Sequence, residues 1–133
     1  DVVIVDSTDP IGPGEGLFTP EFYQQVRRIV GEKGVVVCQS ETPWFPQEDL
    51  TRINQNLSTN FEYVAPYIGS IPTYPRGMWS WTIASDRLIN AAQFRADAIK
   101  SFEGDLRYLN QDLLDVILVV PTFVREKFRQ AKI

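Results

Sequence analysis

Two short aliphatic runs, Val2 to Val5 and Val35 to Cys38, each stop at a single polar residue, Asp6 after the first and Gln39 after the second. Aliphatic runs without polar alternation suit strands buried on both faces, as in sheets that carry helices on each side. Between them lie the signals of a helix. Thr19 is a candidate N-cap, Pro20 fits the first helical position, Glu21 is a first-turn acid, and Gly31 ends the segment. Phe22, Val26, Ile29 and Val30 are its expected apolar face. The Pro- and Gly-rich stretch from Ser7 to Gly16 reads as the loop that joins strand to helix. A strand, a helix and a second strand in this order need a crossover connection, so the chain is constrained to an α/β fold with a parallel sheet.

The pattern continues downstream. A helix begins around Pro46 and carries Leu50, Ile53 and Leu57, Phe61 to Gly69 forms a third strand, and Met78 to Ser85 forms a fourth. The tail is helical over Ala91 to Phe102 and over Gln111 to Lys132, with Pro121 dividing the latter into two short helices. With 133 residues, 44% of them apolar, one domain with a single substantial core is expected.

Composition removes several chemistries. There is no histidine, so Ser/His and Cys/His nucleophilic machinery and the commonest metal ligand are absent, and base work falls to carboxylates or tyrosines. Cys38 is the only cysteine, sits in an apolar run and reads as an inert buried thiol, so no intrachain disulfide forms and a reducing cytoplasm is the expected location. Val116 to Val120, the longest aliphatic run, is too short to span a bilayer. A net charge of -4 argues against tracking of nucleic-acid phosphates and agrees with a cationic small molecule. The chain opens on Asp1, directly inside a strand, and a fragment is therefore expected.

In open α/β sheets ligands sit beyond the carboxyl ends of the strands. Three polar clusters fall at such ends: Asp6-Ser7-Thr8-Asp9, Gln39-Ser40-Glu41 and Pro72-Thr73-Tyr74-Pro75. Each also has a structural reading. The first could be an Asx turn before a proline, Gln39 could simply satisfy a loop amide, and Tyr74 could be a rigid plug between prolines. Trp79 and Trp81, alternating with small polar residues, read as packing rather than as stacking platforms for a ligand.

Together, the order and spacing of these clusters resemble the spermidine synthase family. The segment Asp1 to Gly12, DVVIVDSTDPIG, with Pro13, Leu17, Phe18, Phe22 and Tyr23 after it, is similar to that family's signature. Gln39-Ser40-Glu41, then Ile71 to Pro75 with Gly77, Trp79 and Ser80, repeat its later landmarks. The likeness extends to Tyr108-Leu109-Asn110 and Pro121-Thr122-Phe123. Two positions depart from it. Arg76 stands where many relatives have a small residue, and Leu114 stands where many have a histidine.

The resemblance implies the carboxyl-terminal half of a Rossmann-like, methyltransferase-type mixed sheet flanked by helices. Residues 1–133 would be the carboxyl-terminal part of the catalytic domain, without the amino-terminal β domain and the glycine-rich cofactor loop. It implies transfer of an aminopropyl group from decarboxylated S-adenosylmethionine, a co-substrate, to putrescine, giving spermidine and methylthioadenosine without a metal. By the matched motifs, Asp6 corresponds to the catalytic proton acceptor. Asp6, Ser7, Thr8 and Asp9, with Gln39 and Tyr74, correspond to the amine-binding residues, and Pro13 lies against the nucleoside. A homo-oligomer, or association with the amino-terminal half, is expected, and the isolated chain is expected to be inactive. The competing expectations are an S-adenosylmethionine-dependent methyltransferase and a fragment that retains only the fold.

Overall fold

The computed structural model of the chain describes residues 1–9, 11–44, 48–74, 76–87, 100–102 and 105–130. Four strands, β1 (Val2–Val5), β2 (Val35–Gln39), β3 (Tyr63–Ser70) and β4 (Met78–Ser85), form one sheet in the order β1-β2-β4-β3. The described helices are α1 (Pro20–Val30), α2 (Glu48–Asn60), α3 (Gln111–Val116) and α4 (Thr122–Gln130). Residues 117–120 separate the last two, and Pro121 stands at the start of the second, where its missing amide costs no helical bond. The helix expected over 91–102 lies outside the described residues except for 100–102, which are helical.

The sheet is mixed. β1 and β2 are parallel, as the crossover through α1 demands, whereas β4 runs antiparallel to both β2 and β3. The mixed sheet agrees with what the family resemblance implied; the parallel pattern read from the strand–helix alternation holds for β1 and β2 but not for β4, because residues 71–77 between β3 and β4 are too few for a crossover helix. The expected loop from Ser7 to Gly16 is also partly structured, since Gly12–Phe18 forms a 3-10 helix that turns the chain into α1.

One face of the sheet is covered. Val36, Cys38 and Ala84 are buried against Tyr23, Val26 and Val30 of α1 and Ile53 and Leu57 of α2, with Phe18 and Phe61 sealing the ends. Both helices lie on this face. On the other face Ile4 is 73% exposed and Val2 is also exposed, so β1 is not buried on both sides as the aliphatic run suggested. A second, smaller cluster joins Leu50 of α2 to Val120 and to Val124 and Phe128 of α4.

The caps of α1 follow the sequence. The Thr19 hydroxyl accepts from the Phe22 amide at 3.2 Å, and Gly31, at φ 66°, ends the helix with its amide bonded to the Arg27 carbonyl. The buried stripe is Tyr23, Val26 and Val30, and Ile29 is exposed. At about 100° per residue Ile29 lies roughly a quarter-turn from the centre of that stripe. Tyr23 hydrogen-bonds Cys38 in the core, where burial pushes the thiol up to about 12 and so keeps it unreactive. At the other end of the sheet Arg27 pairs with Asp86, whose carboxylate also accepts from the Glu62 amide.

Among the described residues β1 pairs only with β2, so its other edge offers free amides and carbonyls beside an apolar surface. The 133-residue chain should self-associate in light scattering, and Ile4→Lys, at a position exposed enough to accept a charge, should shift it toward monomer. A wild-type chain that stays monomeric at high concentration would show that this edge is not adhesive.

Candidate active site at the carboxyl edge of the sheet

The strand directions bring three polar segments to one edge. Because β4 is antiparallel to both neighbours, β3 runs parallel to β2, and the carboxyl ends of β1, β2 and β3 all point the same way. The β1–β2 register ends at Val5 opposite Cys38, which sets Asp6 beside Gln39, one strand spacing of about 4.8 Å away. Gln39 pairs with Trp81, and Trp81 with Tyr67, so Gln39, Trp81 and Tyr67 share a face of the sheet. Their rings continue the row, with Tyr67 and Trp81 stacked at 5.4 Å. The β3–β4 hairpin runs three further pairs beyond this line, to Ser70 opposite Met78, and lifts the 71–77 turn above Gln39.

Within that turn the Tyr74 amide donates to the Ile71 carbonyl and the Gly77 amide to the Tyr74 carbonyl, both at 3.0 Å. Arg76, at φ 70°, adopts the left-handed conformation that glycine, without a Cβ, would hold with less strain. Tyr74, 42% exposed, stacks on Trp79 with ring centroids 4.1 Å apart. The Trp79 indole nitrogen is buried, and no described residue accepts its proton.

The segment after β2 is held from beneath by hydroxyls. Ser40 and Thr82 are hydrogen-bonded at 2.8 Å, and the Ser80 hydroxyl donates to the carbonyls of Ser40 (3.0 Å) and Glu41 (2.7 Å). The Ser40 amide binds the Ser80 carbonyl and the Ser80 amide binds Glu41, each at 2.9 Å. These groups are buried, so their mutual bonds avoid the cost of unpaired polar atoms. They also fix Glu41 at φ 68°, a strained conformation of the kind that gathers at functional sites.

Asp6, Thr8 and Asp9 are exposed and Ser7 is half-buried. The turn at Asp9 is tied by the Ile11 amide donating to the Asp9 carbonyl at 2.7 Å. Gly14 passes so close that a Cβ there would lie 2.5 Å from the Asp9 carbonyl oxygen and 2.9 Å from the Thr8 hydroxyl. Pro13 is exposed in the same 3-10 segment. The edge therefore gathers Asp6 to Asp9, Pro13, Gln39 and Tyr74. Sequence reasoning missed the Ser80 and Thr82 anchors, although small polar residues between tryptophans in a central strand were their signal. Trp79 packs as expected, and the side chain it packs against is Tyr74. Nothing local marked Gly14 or Glu41. Among the described residues no group of three or more His, Cys, Asp or Glu could hold a metal ion, and no helix is long and apolar enough to cross a membrane.

Gly14→Ala should displace the Thr8–Asp9 turn, while Gly16→Ala, with nothing within 4 Å of the added carbon, should not. Amide hydrogen exchange at Ile11 is the readout: it should accelerate only in the first variant. Equal protection in both would show that the turn yields without strain.

The spermine/spermidine synthase domain family matches residues 1–95. A polyamine aminopropyltransferase of Thermoplasma volcanium is 43% identical over 126 residues, 95% of this chain and 43% of that protein. The Bacillus subtilis polyamine aminopropyltransferase is 34% identical over the same share of the chain and 45% of its own length. A spermidine synthase solved in complex with the transition-state analogue AdoDATO superposes with a TM-score of 0.89 at 34% identity, over 98% of this chain and 45% of that one. The Thermotoga maritima spermidine synthase gives 0.86 at 32% identity, over 98% of this chain and 44% of that one. The chain thus spans less than half the length of these relatives, and the matched residues include all of the edge built by β1, β2 and the β3–β4 turn. This chain belongs to the spermine/spermidine synthase family.

Proposed function

We propose that this chain is the carboxyl-terminal part of the catalytic domain of an aminopropyltransferase. The complete protein would make spermidine and methylthioadenosine from putrescine and decarboxylated S-adenosylmethionine. The observation that carries the reading is the convergence of Asp6, Gln39 and the Tyr74 turn on one edge of the sheet. Family membership supports aminopropyl transfer, and the three segments supply the residue types that this chemistry needs.

Putrescine is a dication near neutral pH, and only its deprotonated nitrogen can attack. In the proposed reaction the carboxylates of Asp6 and Asp9 capture the amine, with the Ser7 and Thr8 hydroxyls as further partners. Asp6 takes one proton, and the freed lone pair forms a bond to the propyl carbon attached to the sulfonium sulfur. The bond from that carbon to the sulfonium sulfur breaks, and its electron pair leaves with neutral methylthioadenosine. Gln39 and Tyr74 orient the nitrogen by hydrogen bonds so that it faces the carbon, a positional effect that can account for much of the acceleration. Pro13 offers an apolar wall to the nucleoside. The acidic character of the Asp6–Asp9 segment suits this dication. A homo-oligomer in a reducing cytoplasm completes the proposal.

In protein made from the complete reading frame, Asp6→Asn should lower turnover by about 10²- to 10⁴-fold at saturating substrates, because the shape is kept and the base is lost. Spermidine formation followed by chromatography is the assay. Undiminished turnover would remove Asp6 from the proton-transfer step, and methyl transfer from S-adenosylmethionine in place of aminopropyl transfer would overturn the reaction itself.

Tyr74→Phe should act more mildly, chiefly on the putrescine Michaelis constant, since one hydroxyl bond to a charged partner is worth about 1.5–3 kcal/mol. Unchanged kinetics in both constants would dismiss the hydroxyl from the amine site.

A further inference from the structure

We infer that Lys127, on α4 and remote in sequence from every site segment, is a positioning residue for the amine site, acting on Gln39 through the backbone of residues 40–44. The inference rests on the aminopropyltransferase reading only for its kinetic consequence.

The segment after β2 is anchored from two sides. Beneath Glu41 are the bonds from Ser80 already described. From the tail, the Lys127 ammonium donates to the Pro43 carbonyl at 2.6 Å, a charge-assisted bond across 84 positions of sequence. Two further contacts fix α4 where this bond needs it. The Trp44 and Phe123 rings stack at 4.9 Å with an interplanar angle of 17°, and the Asn54 side chain of α2 donates to the Phe128 carbonyl at 3.1 Å. Val124 and Phe128 are buried beside Leu50, so the helix itself is set by packing, and the lysine reaches outward from it.

What lies between the anchors is the reason for having two. Glu41 holds φ 68° without being a glycine, and Thr42, as the residue before a proline, is restricted to extended conformations. Such a backbone persists only where its surroundings over-determine it. Ser80 fixes the carbonyl of Glu41, and Lys127 fixes the carbonyl of Pro43, two residues further on. With the second anchor gone, the strain at Glu41 can relax into the 42–44 segment, and Gln39, three residues from Thr42, turns with it. Val124 and Phe128 are the described residues of α4 that bury in the core, and Lys127, between them in sequence, bonds the loop.

The test uses protein made from the complete reading frame. Lys127→Met keeps the alkyl stem and removes the donor, and it should raise the Michaelis constant for putrescine about tenfold, with that for decarboxylated S-adenosylmethionine unchanged. Lys127→Arg, which restores a donor, should return most of the loss. Amide hydrogen exchange at Ser40, whose amide binds the Ser80 carbonyl, should accelerate in Lys127→Met and recover in Lys127→Arg. This second readout is independent of activity. If the wild type makes no spermidine, the functional reading fails while faster exchange still supports the mechanical link. Unchanged exchange together with an unchanged putrescine constant overturns the inference, as does a loss shared equally by both substrates, which would mark Lys127 as a general stabiliser.

Discussion

The pairing of β4 on both sides decides where the chemistry of this chain is collected. β4 enters antiparallel between β2 and β3, and from that one insertion it follows that β3 ends on the same edge as β1 and β2. Had the connection after β3 been a crossover helix, the Tyr74 turn would not cap the end of β2. The insertion is stabilised by what β4 presents. Its Ser80, Thr82 and Ala84 are fully buried against β2, and small side chains there allow α1 and α2 to pack closely on the sheet. Two of the three are polar, and both have hydroxyl or carbonyl partners in the segment that follows Gln39. The bonds that satisfy the core also shape the site.

This coupling explains a division between the two ends of the sheet. At the amino ends of β1 and β2 the chain uses an ordinary ion pair, Arg27 with Asp86, with the guanidinium also lying 5.7 Å from the centre of the Phe61 ring. Partly exposed pairs of that kind add little to stability. At the carboxyl end the bonds from Ser80 are short, buried and directional, and they hold Glu41 in a left-handed conformation that ordinary loops avoid. Rigidity is concentrated where geometry matters for positioning.

The sequence made the elements with local signals plain. Thr19, Pro20 and Gly31 marked both ends of α1, and the strand Met78–Ser85 was readable from its tryptophans and β-branched residues. The parallel pairing of β1 and β2 was readable from the helix between them, but the antiparallel direction of β4 was not, because period two is the same in parallel and antiparallel pairs and residues 71–77 lack a two-residue hairpin signature. Of the expected apolar face of α1, Phe22, Val26 and Val30 do pack on the core, whereas Ile29 is exposed and Tyr23, whose hydroxyl hid its burial, takes its place. The polar clusters were found because each follows an aliphatic run. The anchors that hold them were not, because Lys127 and Gly14 matter through tertiary contacts that leave no mark on their neighbours in the chain.

The exposure of Asp6 and Asp9 sets the scale of the electrostatics at this edge. The net charge of -4 is spread over the surface, and at physiological salt such charges are screened beyond about 8 Å. A dication is therefore drawn less by the whole protein than by the two carboxylates it touches. Against a solvated carboxylate, contact at 4 Å is worth about 1 kcal/mol, and about four times that where the surroundings behave as a medium of dielectric 20. A base that must hold a cation and then remove its proton gains from the drier environment on both counts. The strength of the proposed amine site thus depends on what covers the Asp6–Asp9 segment, while its geometry is set from below by β2, β4 and the Gly14 approach. Geometry and dielectric are supplied by different parts of the protein, so mutations beneath the site should misplace the amine, and mutations above it should weaken its charge interactions.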